Sequence, residues 1–225
     1  MSEIDVSKLP DSPKLRRAAV LSQEAIEMTK AWLASGAGVV QKNLVPGAVA
    51  YEFRMAPVDL RLILGDCFQN LRAALDHEVF ALSAKRHGKV WADDADTAFP
   101  IAKSEQSFKS RGRQQIRGLS RAAQDLVEEL QPYRNPQHPI AKSLELVHDV
   151  ARVDRHRLLS LSAAQPESYE LNPTTMRANL TIRLKFVMEE TFGGTDALSA
   201  SRACIVAVAW TIDHLREADA APVSA

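Results

Sequence analysis

Leu60-Arg61-Leu62-Ile63-Leu64-Gly65-Asp66-Cys67-Phe68-Gln69-Asn70-Leu71-Arg72-Ala73-Ala74-Leu75-Asp76-His77-Glu78 is the stretch that decides the fold. Wound as a helix at about 100° per residue from Leu60, it gathers Leu60, Ile63, Leu64, Cys67, Leu71, Ala74, Leu75 and, a turn later, Leu82 into one apolar arc. The helix is expected from about Pro57 to His87, with Gly88 as its stop. A helix of that length with one apolar face needs other helices to cover it, so the chain is expected to build a bundle.

The same wheel shows polar groups in costly places. Asp66, Asn70 and His77 fall at about 240°, 280° and 260°, a polar line along the edge of the arc. Glu78 falls at about 0°, inside the arc. Arg72 lies on the other flank, with Asp76 one turn on as its i,i+4 partner.

Outward from this helix, Ser12-Pro13 gives a cap and a first-turn proline, and apolar spacing from Leu15 to Leu33 predicts a first helix to about Ser35. Pro46-Gly47 separates two β-leaning runs, read as a hairpin. A long connection then holds Asp93-Asp94-Ala95-Asp96 and Phe99-Pro100-Ile101. Ser120 to Leu130 reads as a short helix, and another is expected from Pro139 to about Ser162. From Met176 to Glu189 apolar and polar residues alternate, which is the period of a strand. Thr195 is expected to cap a last helix, apolar on nearly every side through Trp210. The expected class is α+β: mainly an α-helical bundle of about five helices with a small antiparallel sheet. Residues 1–12 are expected as a flexible leader, 13–219 as a single domain and 220–225 as a flexible tail.

In the helix from Pro139, Asp154 falls inside the apolar arc, Arg157 at its edge and His156 on the opposite side. A carboxylate in an apolar stripe needs a partner or shifts its proton equilibrium. Asp154 and Arg157 are therefore expected to face the 57–87 helix and meet its polar line or Glu78. Two outcomes follow from such a network: a buried scaffold that pins two helices, or the lining of a site.

The 225 residues carry 28 Lys+Arg against 28 Asp+Glu, with 46% hydrophobic and 25% charged residues. That balance describes a globular protein and argues against one that coats polyanions. It leaves room for a local basic patch. From Lys103 to Arg121 six basic residues stand against Glu105 alone, and Lys109, Arg111, Arg113 and Arg117 are the candidates to face RNA. Cys67 and Cys204 form no metal or disulfide pattern. The amino terminus has no apolar signal segment, and the longest apolar run is far short of the roughly 20 residues of a membrane span. A cytoplasmic protein with no membrane partner is expected. No histidine spacing matches a zinc signature, and no phosphate-binding glycine loop is present, so neither metal nor cofactor is expected.

Gly65-Asp66, Asn70-Leu71-Arg72 and Ala74-Leu75-Asp76-His77 together resemble the core motif of a family of uncharacterised bacterial proteins. Phe99-Pro100-Ile101, Gln131-Pro132-Tyr133 and Asp154-Arg155-His156-Arg157 match further segments of that family in order, over roughly residues 10–190. The Arg72-(x)4-His77 pair is also similar to the signature of the HEPN superfamily of helical nucleases. That resemblance implies metal-independent RNA cleavage at a homodimer interface. His77 would handle protons there and Arg72 would neutralise charge on the phosphoryl group. Asp66, Asn70, Asp76, Glu78, Asp154, His156 and Arg157 would be the supporting network. On the wheel Arg72 and His77 stand about 140° apart, so one protomer alone does not aim both at one phosphate. Two functions stay open at this point: a HEPN-like RNA-binding or RNA-cleaving protein of toxin or defence type, and a non-catalytic interaction protein whose motif residues form a buried polar network.

Overall fold

A computed structural model describes residues 4–35, 39–45, 48–53, 57–156, 161–162, 165–172, 177–183, 187–188 and 196–221; of its strand side chains, those of Leu161 and Met188 are described. Helix α1, Pro13–Ala34, starts where Ser12 accepts a hydrogen bond from the Leu15 N–H and Pro13 occupies the first turn. Helix α2, Val58–His87, ends at Gly88, whose φ of 92° is the left-handed backbone that glycine tolerates best. Lys85, Arg86 and His87 fill its last turn, the end where the helix dipole favours positive charge.

The connection after α2 is largely helical. It carries α3, Lys89–Asp94, then α4, Glu105–Ser107, a π-helical turn at Phe108–Gly112 and α5, Arg113–Gln115. Helix α6, Arg121–Glu129, is capped by Ser120, which accepts from the Ala123 N–H. Helix α7 is Pro139–Asp154 and helix α8 is Ala197–Ala220.

The core lies between α1, α2, α7 and α8, with α6 laid against α8. Leu15, Ala18, Leu64, Phe68, Leu71, Leu75, Leu144, Val147, Ile205, Val208 and Ile212 are sealed from solvent there. Phe99 and Phe108, from the connection, are equally buried and plug one side of the bundle. Both cysteines are free and buried; burial pushes the Cys67 thiol up to about 12 and raises Cys204 as well, so each acts as a small apolar residue.

The expected α+β class is corrected by this architecture: the protein is all-α. The extended segments pair only two at a time. β1, Val39–Val45, runs antiparallel to β2, Ala48–Phe53. β3, Leu161–Ser162, pairs with β6, Val187–Met188, and β4, Gln165–Asn172, pairs with β5, Arg177–Arg183. Among the described residues no third strand joins any pair, and the β3–β6 pair adds only Leu161 and Met188 to the core among the helices. Alternation in a sequence marks a segment with two unlike faces, whereas a β layer needs three or more strands to build a core.

Other boundaries move for local reasons. The Pro139 helix ends at Asp154 rather than near Ser162, because Leu161 and Ser162 pair with β6. A short apolar run such as Leu158 to Leu161 fits helix and strand equally well by sequence. Asp196, not Thr195, caps α8 by accepting from the Ser199 N–H at 2.9 Å. Within the segment expected as a leader, Val6–Lys8 makes one 3-10 turn capped by Asp5, and Ile4, Val6 and Leu9 pack against the core.

Candidate anion site

Asp76 is the first piece of a cleft between α2, α7 and the connection. Its Oδ1 accepts from Arg72 Nη2 at 2.9 Å, one helical turn back, and from the Phe99 N–H at 2.9 Å. One carboxylate thus orients the arginine and also ties the Phe99-Pro100-Ile101 segment to α2. Gln131, fully buried just after α6, holds the other end of that segment. Its Oε1 accepts from the Ala102 N–H at 2.8 Å, and its Nε2 donates to the carbonyls of Pro100 at 3.0 Å and Val127 at 2.8 Å. Gly112 lets the π-helical turn close over Pro100: a Cβ there would stand 3.1 Å from the proline ring and 2.8 Å from Phe108.

The resulting cleft has a volume of about 500 Å³ and is lined by Arg72, Asp76, Pro100 to Ala102, Ser107, Arg111, Gly112, Gln115, His148, Ala151, Arg152 and Arg155. Four arginines face one carboxylate. Arg72 is 15% exposed and its Nη1 is buried without a hydrogen-bond partner. Burial pulls the Arg72 guanidinium below its usual range, Asp76 opposes that shift, and the positive charge of Arg155 adds to it. Burial raises the Asp76 carboxyl, against the pull of Arg72 and the Phe99 N–H. Burial also lowers His148, and Arg72, Arg152 and Lys103 push it the same way while Asp149 opposes them. His148 is therefore held toward its neutral form inside a cationic cleft. Arg152 and Arg155 have no acidic partner among the described residues. Three guanidiniums around one cleft match the chemistry of an anion with several acceptor oxygens.

The residues singled out from the sequence divide between this cleft and other places. Arg72, Asp76 and Arg111 line it. His77 does not line it and is exposed, so one protomer does not place Arg72 and His77 at one anion. Asp66 is exposed, and Asn70 donates from Nδ2 back to the Asp66 carbonyl at 2.8 Å, a bond within its own helix. His156 is exposed. Asp154 lies against α2, but its neighbours are Gly65 and Gln69 rather than His77 or Glu78. A Cβ on Gly65 would come within 2.0 Å of Asp154 Oδ1, and Gln69 Nε2 donates to Asp154 Oδ2 at 3.3 Å. Burial raises the Asp154 carboxyl and nearby Asp66 raises it further, while the Gln69 bond lowers it. Arg157 lies outside the described residues.

Glu78 finds its partner on α8, which corrects the expected meeting with Asp154 or Arg157. Arg216 donates to it twice, from Nε at 2.8 Å and from Nη2 at 2.7 Å, and also reaches the Asp11 carbonyl at 3.2 Å. Much of the expected basic patch is paired with acids, one from within the run and others from outside it. Lys109 pairs with Glu105, Arg113 with Glu128 at 3.0 Å, and Arg111 more loosely with Asp96 at 3.7 Å. Arg117 lies over the Trp91 ring at 5.5 Å. Lys103 bridges to Asp149 at 2.6 Å and Glu145 at 3.3 Å, latching the connection onto α7.

His148, Arg152 and Arg155 are the residues the sequence reasoning passed over. His148 and Arg152 share a helix face at i,i+4, and Arg155 stands inside the Asp154-Arg155-His156-Arg157 motif. The signal was present in that face, and weight fell on its neighbours. Phe99-Pro100-Ile101, Gln131 and Arg155, each from a different motif segment, converge with Arg72 and Asp76 around the cleft. Among the described residues no group of three or more His, Cys, Asp and Glu comes together to hold a metal ion, and no helix is long and apolar enough to cross a membrane. Comparison with protein-family models, curated proteins and solved structures finds no match.

Proposed function

We infer that the protein binds RNA, with a phosphate group of the strand held in the cleft by Arg72, Arg152 and Arg155. The observation that carries this reading is the convergence of Arg72, Arg152 and Arg155 on one cleft, with Arg152 and Arg155 in no ion pair among the described residues. Guanidiniums match phosphate oxygens in pairs. Asp76 keeps Arg72 in place rather than cancelling the site, because three further arginines outnumber it.

RNA cleavage of HEPN type, with Arg72 and His77 as the catalytic pair, belongs to this reading in its dimeric form alone. A second protomer has to bring its own His77 to the Arg72 cleft. The competing scaffold reading draws on the Glu78–Arg216 pair, which joins α2 to α8 without facing the cleft.

Fluorescence anisotropy with a labelled single-stranded RNA tests the proposal. Wild-type protein is expected to bind, and Arg152→Ala combined with Arg155→Ala is expected to weaken binding by about tenfold or more, since each good phosphate contact contributes roughly 1 kcal/mol. Binding that survives both substitutions overturns the assignment to this cleft. Cleavage of the same RNA, abolished by His77→Ala and tracking with a dimer in sedimentation, would support the catalytic form; monomeric protein with no cleavage would remove it.

A further inference from the structure

We propose that the cleft is built for a terminal phosphate: the dianionic phosphomonoester at the end of an RNA strand or on a free mononucleotide, rather than a phosphodiester within a strand. This rests on the RNA-binding reading above and narrows it to one chemical group.

Charge points to that group first. Arg72 shares its positive charge with Asp76 at 2.9 Å, and Arg111 has Asp96 at 3.7 Å, whereas Arg152 and Arg155 have no acidic partner among the described residues. Arg152 and Arg155, neither in an ion pair among the described residues, together match a phosphomonoester, which carries about −1.5 to −2 near neutral pH. An internal phosphodiester brings one charge per nucleotide. Arg72 lines the same cleft, and a terminal phosphate has three oxygens to share among the three guanidiniums.

Shape and lining point the same way. The cleft holds about 500 Å³, within the range of small-ligand sites, roughly 300–1,000 Å³. Among the described residues no Phe, Tyr or Trp lines it. Proteins that grip the interior of a single strand stack successive bases on aromatic rings; the described lining of this cleft offers instead guanidiniums, an imidazole, and the polar side chains of Ser107 and Gln115. Recognition therefore falls on the phosphate itself. His148 adds a titratable neighbour: a dianion between Arg72 and Arg152 offsets the cations that hold the imidazole neutral, so a bound dianion favours proton uptake there.

The test compares one labelled RNA oligonucleotide carrying a 5′-phosphate, a 3′-phosphate or hydroxyls at both ends, with adenosine monophosphate and inorganic phosphate as competitors. Binding of at least one phosphorylated strand about tenfold tighter than the hydroxyl strand is expected, with the advantage lost in Arg152→Ala at an unchanged melting temperature. Displacement by adenosine monophosphate at a concentration near that of the strand itself identifies the free mononucleotide as the ligand, and weak displacement identifies the strand end. Equal affinity for all three strands, lost alike in Arg152→Ala, overturns the preference for a terminal phosphate and leaves RNA binding standing. Absence of binding by every strand and by adenosine monophosphate overturns both.

Discussion

Removing Arg216 should expose how the bundle carries a charge inside an apolar arc. Glu78 has a side chain 7% exposed and depends on two hydrogen bonds from a guanidinium that is itself 37% exposed. Arg216→Ala strands the carboxylate, and breaking such a pair typically costs about 3–5 kcal/mol. Water reaches the site once the half-open arginine is gone, which places the loss near the lower end, about 3 kcal/mol. For a chain of this size each kcal/mol moves the melting temperature by about 2–4 °C, giving a fall of roughly 6–12 °C at neutral pH. Thermal melts followed by circular dichroism read the deficit against wild type. A loss under about 2 °C would refute the claim that Glu78 is a buried charge held by one partner.

Three further outcomes follow from the same geometry. Gly65→Ala drives a methyl group against the Asp154 carboxylate and should destabilise by roughly 1–3 kcal/mol, with most of that loss recovered in the double variant Gly65→Ala/Asp154→Ala; chemical denaturation of all three variants measures the coupling. Gln131→Ala leaves the Ala102 N–H and the Pro100 and Val127 carbonyls without their bonds, which should cost about 2–4 kcal/mol and speed amide exchange at Ala102. Because His148 is held below its ordinary pKa in the folded protein, the unfolded chain binds more protons as pH falls through the usual histidine range. Stability should therefore drop on acidification from about pH 7.5 to 5.5, and His148→Gln should remove part of that slope in melts across the series.

The main helices and several of their boundaries were legible because those signals are local. Ser12-Pro13, Gly88 and Ser120 act within one turn, and the structure uses each of them as a boundary. The β layer was not legible, because alternation from Met176 to Glu189 shows two unlike faces but says nothing of how many strands will join. The site was legible in part. Arg72 and Asp76 stand out on one helix as an i,i+4 pair, yet the third contact of that pair, the Phe99 N–H, lies 23 residues further on. His148, Arg152 and Arg155 form an ordinary-looking cationic face until the Phe99–Ala102 segment is folded across them. Glu78 announced that it needed a partner; nothing local could say that Arg216, 138 residues away, would supply it. The basic run from Lys103 to Arg121 misled for the converse reason, since Glu128, Glu145 and Asp149 reach it only through the fold.

The salt dependence of RNA binding tests the central claim most directly. Each phosphate contact contributes about 0.7 to the slope of log affinity against log salt for a single strand. If Arg152 and Arg155 hold one phosphate in the cleft, removing both should weaken binding and lower that slope by about 0.7. A slope and affinity equal to those of wild type in the double variant would contradict the account.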